Sequence, residues 1–363
     1  MKVINITMQA VNNYGSALQT YATERIFQEL GCEVETLDYI QENLQMDTVL
    51  KVLKYGGPGW KIKCKQIFLQ LLKQKNNRRA EIMDEFRKKY IHLTKRYLSI
   101  KELEEDLPGA DIFCTGSDQT WNPVLYGPSK AYYLGFVPDN KKKISFSASF
   151  GVDKLPAKDK LEVKRLLSRY DAISVRESSG IEILEDLGIK EATLVLDPTL
   201  VVNSELWNKM SSERMVPEDY IFVYQLNTSD RFVDYVNKVA KAKGLKVIYV
   251  KSRVENRYNN ATYIESPRVE DWLSLFRYAK YVITDSFHGT LFSIIYKKEF
   301  VDIYPPNFSS RLESILSLLG LENRHVKDFE NYDWCSDSID YTKVDTIIET
   351  KKNETMAFLR KNL

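Results

Sequence analysis

The sequence predicts an α/β protein built as two doubly wound domains that face one another across a cleft. Three observations predict it. The chain has 363 residues, more than a single hydrophobic core usually holds. Its composition is that of a folded protein, 44% apolar and 28% charged, which excludes a disordered or collagen-like chain. Short apolar runs alternate with helical stretches in two successive sets, as in parallel sheets covered on both faces.

The elements follow in order. Lys2–Met8 alternates apolar and polar side chains and reads as a strand rather than a signal peptide. A loop over Gln9–Gly15 leads into an amphipathic helix from about Ser16 to Leu30, which Gly31 stops before a strand over Cys32–Asp38. Residues 60–105 read as helical, with no convincing strand. Ala110–Thr115, Lys143–Ala148, Asp171–Val175 and Thr193–Leu196 complete the first set of strands. The second set is Tyr220–Leu226, Lys246–Val250, Tyr281–Thr284 and Phe300–Ile303, with helices expected at about 230–243, 269–279 and 290–297. The polar stretch Asn203–Asp219 marks the boundary, giving domains at 1–210 and 211–363. The helical terminus from about 343 is expected to pack back across the first domain. Ligands of such sheets bind beyond the carboxyl ends of the strands, so the loops there are the place to look for chemistry.

Composition also bounds the function. No apolar run approaches the roughly 20 residues of a membrane-spanning helix, so a cytoplasmic location is expected. The four cysteines, at 32, 64, 114 and 335, share no CxxC spacing, and there are only three histidines, so no metal site is expected. The overall balance of 52 basic and 50 acidic residues gives no case for nucleic acid. The charge is unevenly placed, however. Residues 61–101 carry thirteen Lys or Arg against three acids, an excess of ten. Within this basic insertion, at about 50–105, Trp60, Cys64, Ile67, Phe68, Leu71 and Leu72 fall near one helical face. Such a segment suits peripheral contact with the inner face of an anionic membrane, and equally suits a packed helix with a solvated basic face.

The most informative stretch is Val282-Ile-Thr-Asp-Ser-Phe-His-Gly-Thr-Leu-Phe-Ser. A buried strand ends at Thr284, Asp285 or Ser286 caps a helix beginning near Gly289, and His288 sits in the loop just ahead of it. Free N–H groups at that helix start form a seat for phosphate or carboxylate. The helix end disfavours protonating His288, whereas a bound dianion favours it, which suits a general acid. Arg176 directly follows a short strand, which would aim its fork into the cleft to bind an anion in bidentate fashion; a salt bridge to Glu177 or another acid is the structural alternative. Two further loops, Asn12-Asn-Tyr-Gly-Ser and Gly116-Ser-Asp-Gln-Thr-Trp-Asn-Pro, combine glycine, amides, a carboxylate and an aromatic face. That mixture suits a sugar, and also suits ordinary turns.

Taken together, Asn13-Tyr-Gly-Ser-Ala-Leu-Gln-Thr-Tyr-Ala, Gly116-Ser-Asp-Gln-Thr-Trp-Asn-Pro, Ser174-Val-Arg-Glu, Asp197-Pro-Thr and Thr284-Asp-Ser-Phe-His-Gly-Thr resemble, in that order, the polysaccharide pyruvyl transferase family. The resemblance runs from about residue 10 to 325. It implies two Rossmann-like domains arranged as in GT-B glycosyltransferases, and transfer of pyruvate from phosphoenolpyruvate onto a sugar as a ketal. The family's essential histidine falls on His288 and its donor-binding arginine on Arg176. Some members carry an arginine two positions before the histidine, where this chain has Ser286. The donor side is therefore expected to draw on Ser286, Phe287, Gly289, Thr290 and Arg311 as well, and the acceptor side on Asn13, Tyr14, Gly15, Asp118, Gln119, Trp121 and Asn122. Asp118 and Asp285 are the candidate bases. The acceptor is expected to be a glycan, free or lipid-linked, of a surface or capsular polysaccharide. No cofactor is expected, and no Walker or dinucleotide glycine fingerprint occurs. The alternatives are a GT-B glycosyltransferase using a nucleotide sugar and a non-catalytic carbohydrate-binding protein.

Overall fold

The computed structural model describes residues 1–41, 78–126, 129–227, 229–251, 257–305, 309–332 and 338–363. The first sheet comprises β1 (Lys2–Ile6), β2 (Glu33–Tyr39), β3 (Leu93–Tyr97), β4 (Ile112–Thr115) and β5 (Lys142–Ser145). Its order is β3-β2-β1-β4-β5 and every pairing is parallel. A parallel pair, β6 (Ile173–Val175) and β7 (Ala192–Leu194), extends it through bridges from Ile144 to Ala172 and from Ala148 to Val175. The second sheet repeats the pattern with β8 (Tyr220–Tyr224), β9 (Lys246–Lys251), β10 (Ala261–Glu265), β11 (Tyr281–Thr284) and β12 (Glu299–Asp302), in the order β10-β9-β8-β11-β12. In each sheet the winding reverses beside the first strand, at β1/β4 and at β8/β11. These are the switch points where crevices open in α/β sheets.

The central strands are apolar because both faces are covered. β8 reads Tyr-Ile-Phe-Val-Tyr and is buried at all five positions. The largest core cluster is shared by the two halves, joining Val3 and Trp207 to Trp272 and Phe292. Leu359 of the terminal helix, Tyr341–Asn362, belongs to the same cluster. That helix does cross back to the first sheet's half: Leu196 N–H donates to Thr355 Oγ1 at 3.2 Å, and Lys142 Nζ donates to Leu363 O at 3.4 Å. No helix of the described residues is long and apolar enough to cross a membrane.

Two strands escaped the sequence pattern, and both lie at sheet edges. β3 falls inside the stretch expected to be helical; of its five residues only Tyr97 is buried. β10 has no buried residue at all. An edge strand needs no apolar run, and charged residues such as Lys95 and Arg96 protect it from pairing with another chain. The preceding segment does contain a helix, Arg78–Tyr90. The remainder of the basic insertion, including residues 60–72 and its amphipathic face, lies outside the described residues.

Candidate active site

The loops after β1, β4, β8 and β11 converge between the two sheets around a cavity of about 310 Å³. Two helices start at its wall. The first, α1 (Tyr14–Glu29), is capped by Asn13, whose Oδ1 accepts from Gly15 N at 2.8 Å and Ser16 N at 3.3 Å. The second, α2 (Phe287–Ile295), is capped by Ser286, whose Oγ accepts from Gly289 N at 3.3 Å. His288 is therefore the second residue of α2 and not part of the preceding loop. The N–H groups of Phe287 and His288 have no acceptor within their helix, which leaves them for an anion.

The imidazole of His288 lies against the start of α1. A Cβ on Gly15 would sit 2.1 Å from His288 Nδ1, so only glycine leaves room for the ring. The ring's Nε2 is buried without a hydrogen-bond partner, 3.8 Å from Asp197 Oδ2. Asp197 caps the short helix Pro198–Val201, with Oδ1 accepting from Thr199 N and Oγ1 at 3.0 and 2.7 Å. Its Oδ2 accepts from Arg176 Nη1 at 2.8 Å and Ser117 Oγ at 2.9 Å. Burial alone would raise this carboxyl, but His288, Arg176 and the Thr199 N–H together hold it far below the usual carboxylate range.

Arg176 is the hub of that network. Its side chain is 0% exposed, and its fork meets Asp197 and, at 3.5 Å, Asp118 Oδ1. The guanidinium also lies 4.4 Å from the centre of the Phe287 ring. Arg176 thus sits beneath the cleft wall instead of opening into it, because three acids (Asp118, Glu177 and Asp197) surround its fork. Asp118 reaches the cavity from a left-handed backbone position, φ 76°, which Asp tolerates better than most residues. Ser16 Oγ donates to its Oδ2 and Gln119 N to its Oδ1, the latter at 2.8 Å. Burial opposes ionisation of Asp118, and Arg176 and His288 outweigh it, so the carboxyl lies below its ordinary value.

Arg311 enters the cavity from the helix Ser310–Leu319. Its Nε is buried without a partner, and no hydrogen bond or ion pair holds its guanidinium among the described residues. Burial, with Arg176 nearby, pushes it down to about 10. Such a cation is improved by an arriving anion. Asp285 also faces the cavity, but its oxygens accept from Leu226 N, Asn227 N and Asn227 Nδ2 at 2.7, 2.9 and 3.0 Å. It ties the loop after β8 in place. Burial pushes its carboxyl up to about 6, against those three donors.

Of the residues expected around a donor, Ser286, Phe287, His288 and Arg311 line the cavity. Gly289 is buried against Thr284, and Thr290 turns away, its hydroxyl donating to the buried Asp302 at 2.8 Å. Of those expected around an acceptor, Asn13, Tyr14, Asp118 and Gln119 line it. Tyr14 spans the two halves, stacked on Trp272 at 5.2 Å and donating to Pro267 O at 2.7 Å. Two expectations fail. Trp121 is fully buried, stacked on Tyr133 and donating to Tyr132 O, so it offers no face to a sugar. Asn122 is buried too, spending its amide on Gln119 and on the backbone of Val124 and Leu125. Conversely, Ser16, Ser117 and Asp197 belong to the site and were not singled out from sequence. Asp197-Pro-Thr following a strand carried that signal, since it is a helix cap at a strand's carboxyl end.

A sequence model of the polysaccharide pyruvyl transferases matches residues 13–305. The chain belongs to the polysaccharide pyruvyl transferase family. Its members' activity makes it an enzyme that transfers pyruvate to a polysaccharide. No curated protein matches the chain in sequence. Among solved structures, UDP-GlcNAc 2-epimerase from Neisseria meningitidis bound to UDP-GlcNAc is similar at a TM-score of 0.55 and 10% identity, covering 100% of both chains. The S. aureus MnaA–UDP structure is similar at 0.54 and 10% identity, covering 98% of this chain and 91% of that one. At such identities the likeness is one of fold, and it is the two-domain GT-B-like arrangement that the resemblance implied for this family.

Proposed function

We propose that this transferase takes pyruvate from phosphoenolpyruvate and closes it as a ketal on two hydroxyls of a glycan, a precursor of a surface or capsular polysaccharide. The observation that carries this reading is the pairing, in one cavity, of a histidine at a helix start with an arginine that has no ion pair among the described residues. Phosphoenolpyruvate brings two anionic groups. The N–H groups of Phe287 and His288, the Ser286 hydroxyl and Arg311 are suited to hold them.

Protonated His288 gives its proton to the methylene carbon of the donor, making C2 an electrophile. A first glycan hydroxyl attacks C2 and yields its proton to Asp118, which its surroundings keep ionised until that step. The C2–O bond to phosphate breaks, and a second hydroxyl attacks C2 as phosphate departs with that hydroxyl's proton. Asp118 then releases its proton and His288 regains one, so the two protons lost by the glycan balance the one on carbon and the one on phosphate. Asp285 is the other candidate for base; the loop at 226–227 donates to both its oxygens, as Ser16 and Gln119 donate to those of Asp118. The same assignment puts the donor on the second half of the chain and the acceptor on the loops of the first, at residues 13–16 and 118–119.

The test is incubation with phosphoenolpyruvate and candidate free and lipid-linked glycans, following phosphate release and product mass. Turnover should fall on the order of 10²–10⁴-fold in His288→Gln with folding intact. A nucleotide-sugar donor is the second reading, favoured by a further cavity of about 470 Å³ that adjoins the first at Asn227, Asp285 and Pro305 and is lined by Phe232, Tyr304 and Phe329. Stronger thermal stabilisation by a nucleotide sugar than by phosphoenolpyruvate would select it. Acceptors carried on a lipid would bring the enzyme to the inner face of a membrane in the cytoplasm, which cosedimentation with anionic vesicles tests.

A further inference from the structure

His288 and Asp197 come from different halves of the chain, His288 from the start of α2 and Asp197 from the loop after β7. The two side chains are 9% and 1% exposed, and His288 Nε2 faces Asp197 Oδ2 across 3.8 Å. Nε2 is buried with no hydrogen-bond partner, although a buried ring nitrogen ordinarily has one. The ring's other nitrogen, Nδ1, packs against Gly15, where a Cβ would stand 2.1 Å from it, and unlike Nε2 it is not a buried atom without a partner. The imidazole is therefore asymmetric, with Nε2 turned inward to a fixed carboxylate and Nδ1 at the start of α1, beside residues that line the cavity.

We infer that Asp197 is the positioning residue of His288: it holds the proton on Nε2, so that Nδ1 is the nitrogen that exchanges a proton with the substrate. This rests on the assignment of His288 as the acid. Asp197 suits the task because it cannot drift. Thr199 fixes one of its oxygens from two directions, while Arg176 and Ser117 fix the other. Those donors also keep it ionised, so it stabilises the imidazolium without taking the proton itself. A carboxylate behind a histidine does this in other acid–base sites, where the contact is often loose without substrate and tightens in the complex. Because Asp197 and Gly15 stand on one half of the chain and His288 on the other, the acid is complete only when the halves are closed on each other. Arg176 then serves through Asp197, which accounts for a fully buried guanidinium at the base of a binding cleft.

Asp118 bears on the same imidazole, Arg176 acts on its partner Asp197, and Arg79, Asp285 and Arg311 share the cavity with it. The decisive measurement isolates Asp197 from them. In the full-length protein, the ring resonances of His288 are followed by NMR against pH, with His288→Gln identifying the signal among three histidines. In Asp197→Asn the titration of His288 should move to lower pH by about one unit, and its Nε2–H should lose protection from exchange. Ser117→Ala, which keeps the carboxylate but frees a lone pair on Oδ2, should move the titration to higher pH by a few tenths. Opposite movements in two folded variants are not produced by general loosening. If Asp197→Asn does not fold, the sign of the Ser117→Ala shift alone decides. An unmoved titration in both, or movement in one direction only, overturns the positioning role. Neither readout uses turnover. If the titrations move as expected while phosphoenolpyruvate yields no ketal, it is the assigned reaction that fails and the His288–Asp197 pairing that stands.

Discussion

Gly15 and His288 belong to the two opposite halves of the chain, and a side chain on the first would occupy the space of the second, 2.1 Å from Nδ1. The glycine is the second residue of α1, in its first turn, and a side chain there is exchanged for room for an imidazole.

Gly15→Ala tests that exchange. The added methyl must push the ring away from its seat, and misplacement by about 1 Å costs on the order of 10²-fold in rate. Turnover should fall by that order and the melting temperature should fall with it, because the methyl also meets His288 Cγ and Cβ at 2.3 and 2.7 Å and the start of α2 must move. Combining it with His288→Gln should add nothing further, since both remove the same function. Full activity in Gly15→Ala would mean that the ring's position is not what matters.

The two arginines of the site should separate cleanly. Arg311 has no ion pair among the described residues and shares its surroundings with Arg176, so Arg311→Gln should weaken donor binding by roughly 10- to 100-fold, the worth of charge-assisted hydrogen bonds, with unchanged or improved stability. Arg176→Gln leaves Asp197 and Asp118 buried without their cation, which should destabilise folding by about 3–5 kcal/mol. Denaturant unfolding and the KM for phosphoenolpyruvate read out both. A stable Arg176→Gln protein with a raised KM would place the Arg176 fork in the cleft after all.

Trp121→Ala is expected to behave as a core deletion. The ring is packed between Tyr133, Phe150 and Tyr170, and its truncation should cost about 3–5 kcal/mol. The protein that remains folded should keep its acceptor affinity. Normal stability with weakened acceptor binding would restore the stacking role that sequence suggests.

What the sequence disclosed and what it withheld divide along physical lines. The central strands β4, β8 and β11 were legible because burial on both faces demands apolar runs, and β1 was legible from its alternation of apolar and polar side chains. β3 and β10 were not, because edge position removes that demand. His288 and Ser286 were legible because a polar residue between a buried strand and a helix has few roles. The placement of Trp121 was not, since a tryptophan beside a turn looks the same whether its ring faces sugar or core. Arg176 was recognised as important but its partners were not, because Asp118 and Asp197 lie far from it in sequence and only the fold brings three acids to one guanidinium.

Asp285 gives the clearest dependence on pH. Burial pushes its carboxyl up to about 6, even though Leu226 and Asn227 donate three hydrogen bonds to it. Between the ordinary carboxylate range and that value, the folded protein retains a proton that the unfolded chain has released. Stability from this group is therefore present at low pH, falls as pH rises through the window, and is level above it. Asp285→Asn cannot ionise and lacks the effect. Glu24 and Asp302, also raised by burial, are present in both proteins and drop out of the comparison. The stability of the parent protein relative to Asp285→Asn, measured by denaturant unfolding, should thus decline by about 2 kcal/mol between pH 4 and pH 7. A difference that stays flat over that range would show that Asp285 ionises as readily in the fold as outside it, and its clamp on the loop after β8 would then operate as a charged one throughout.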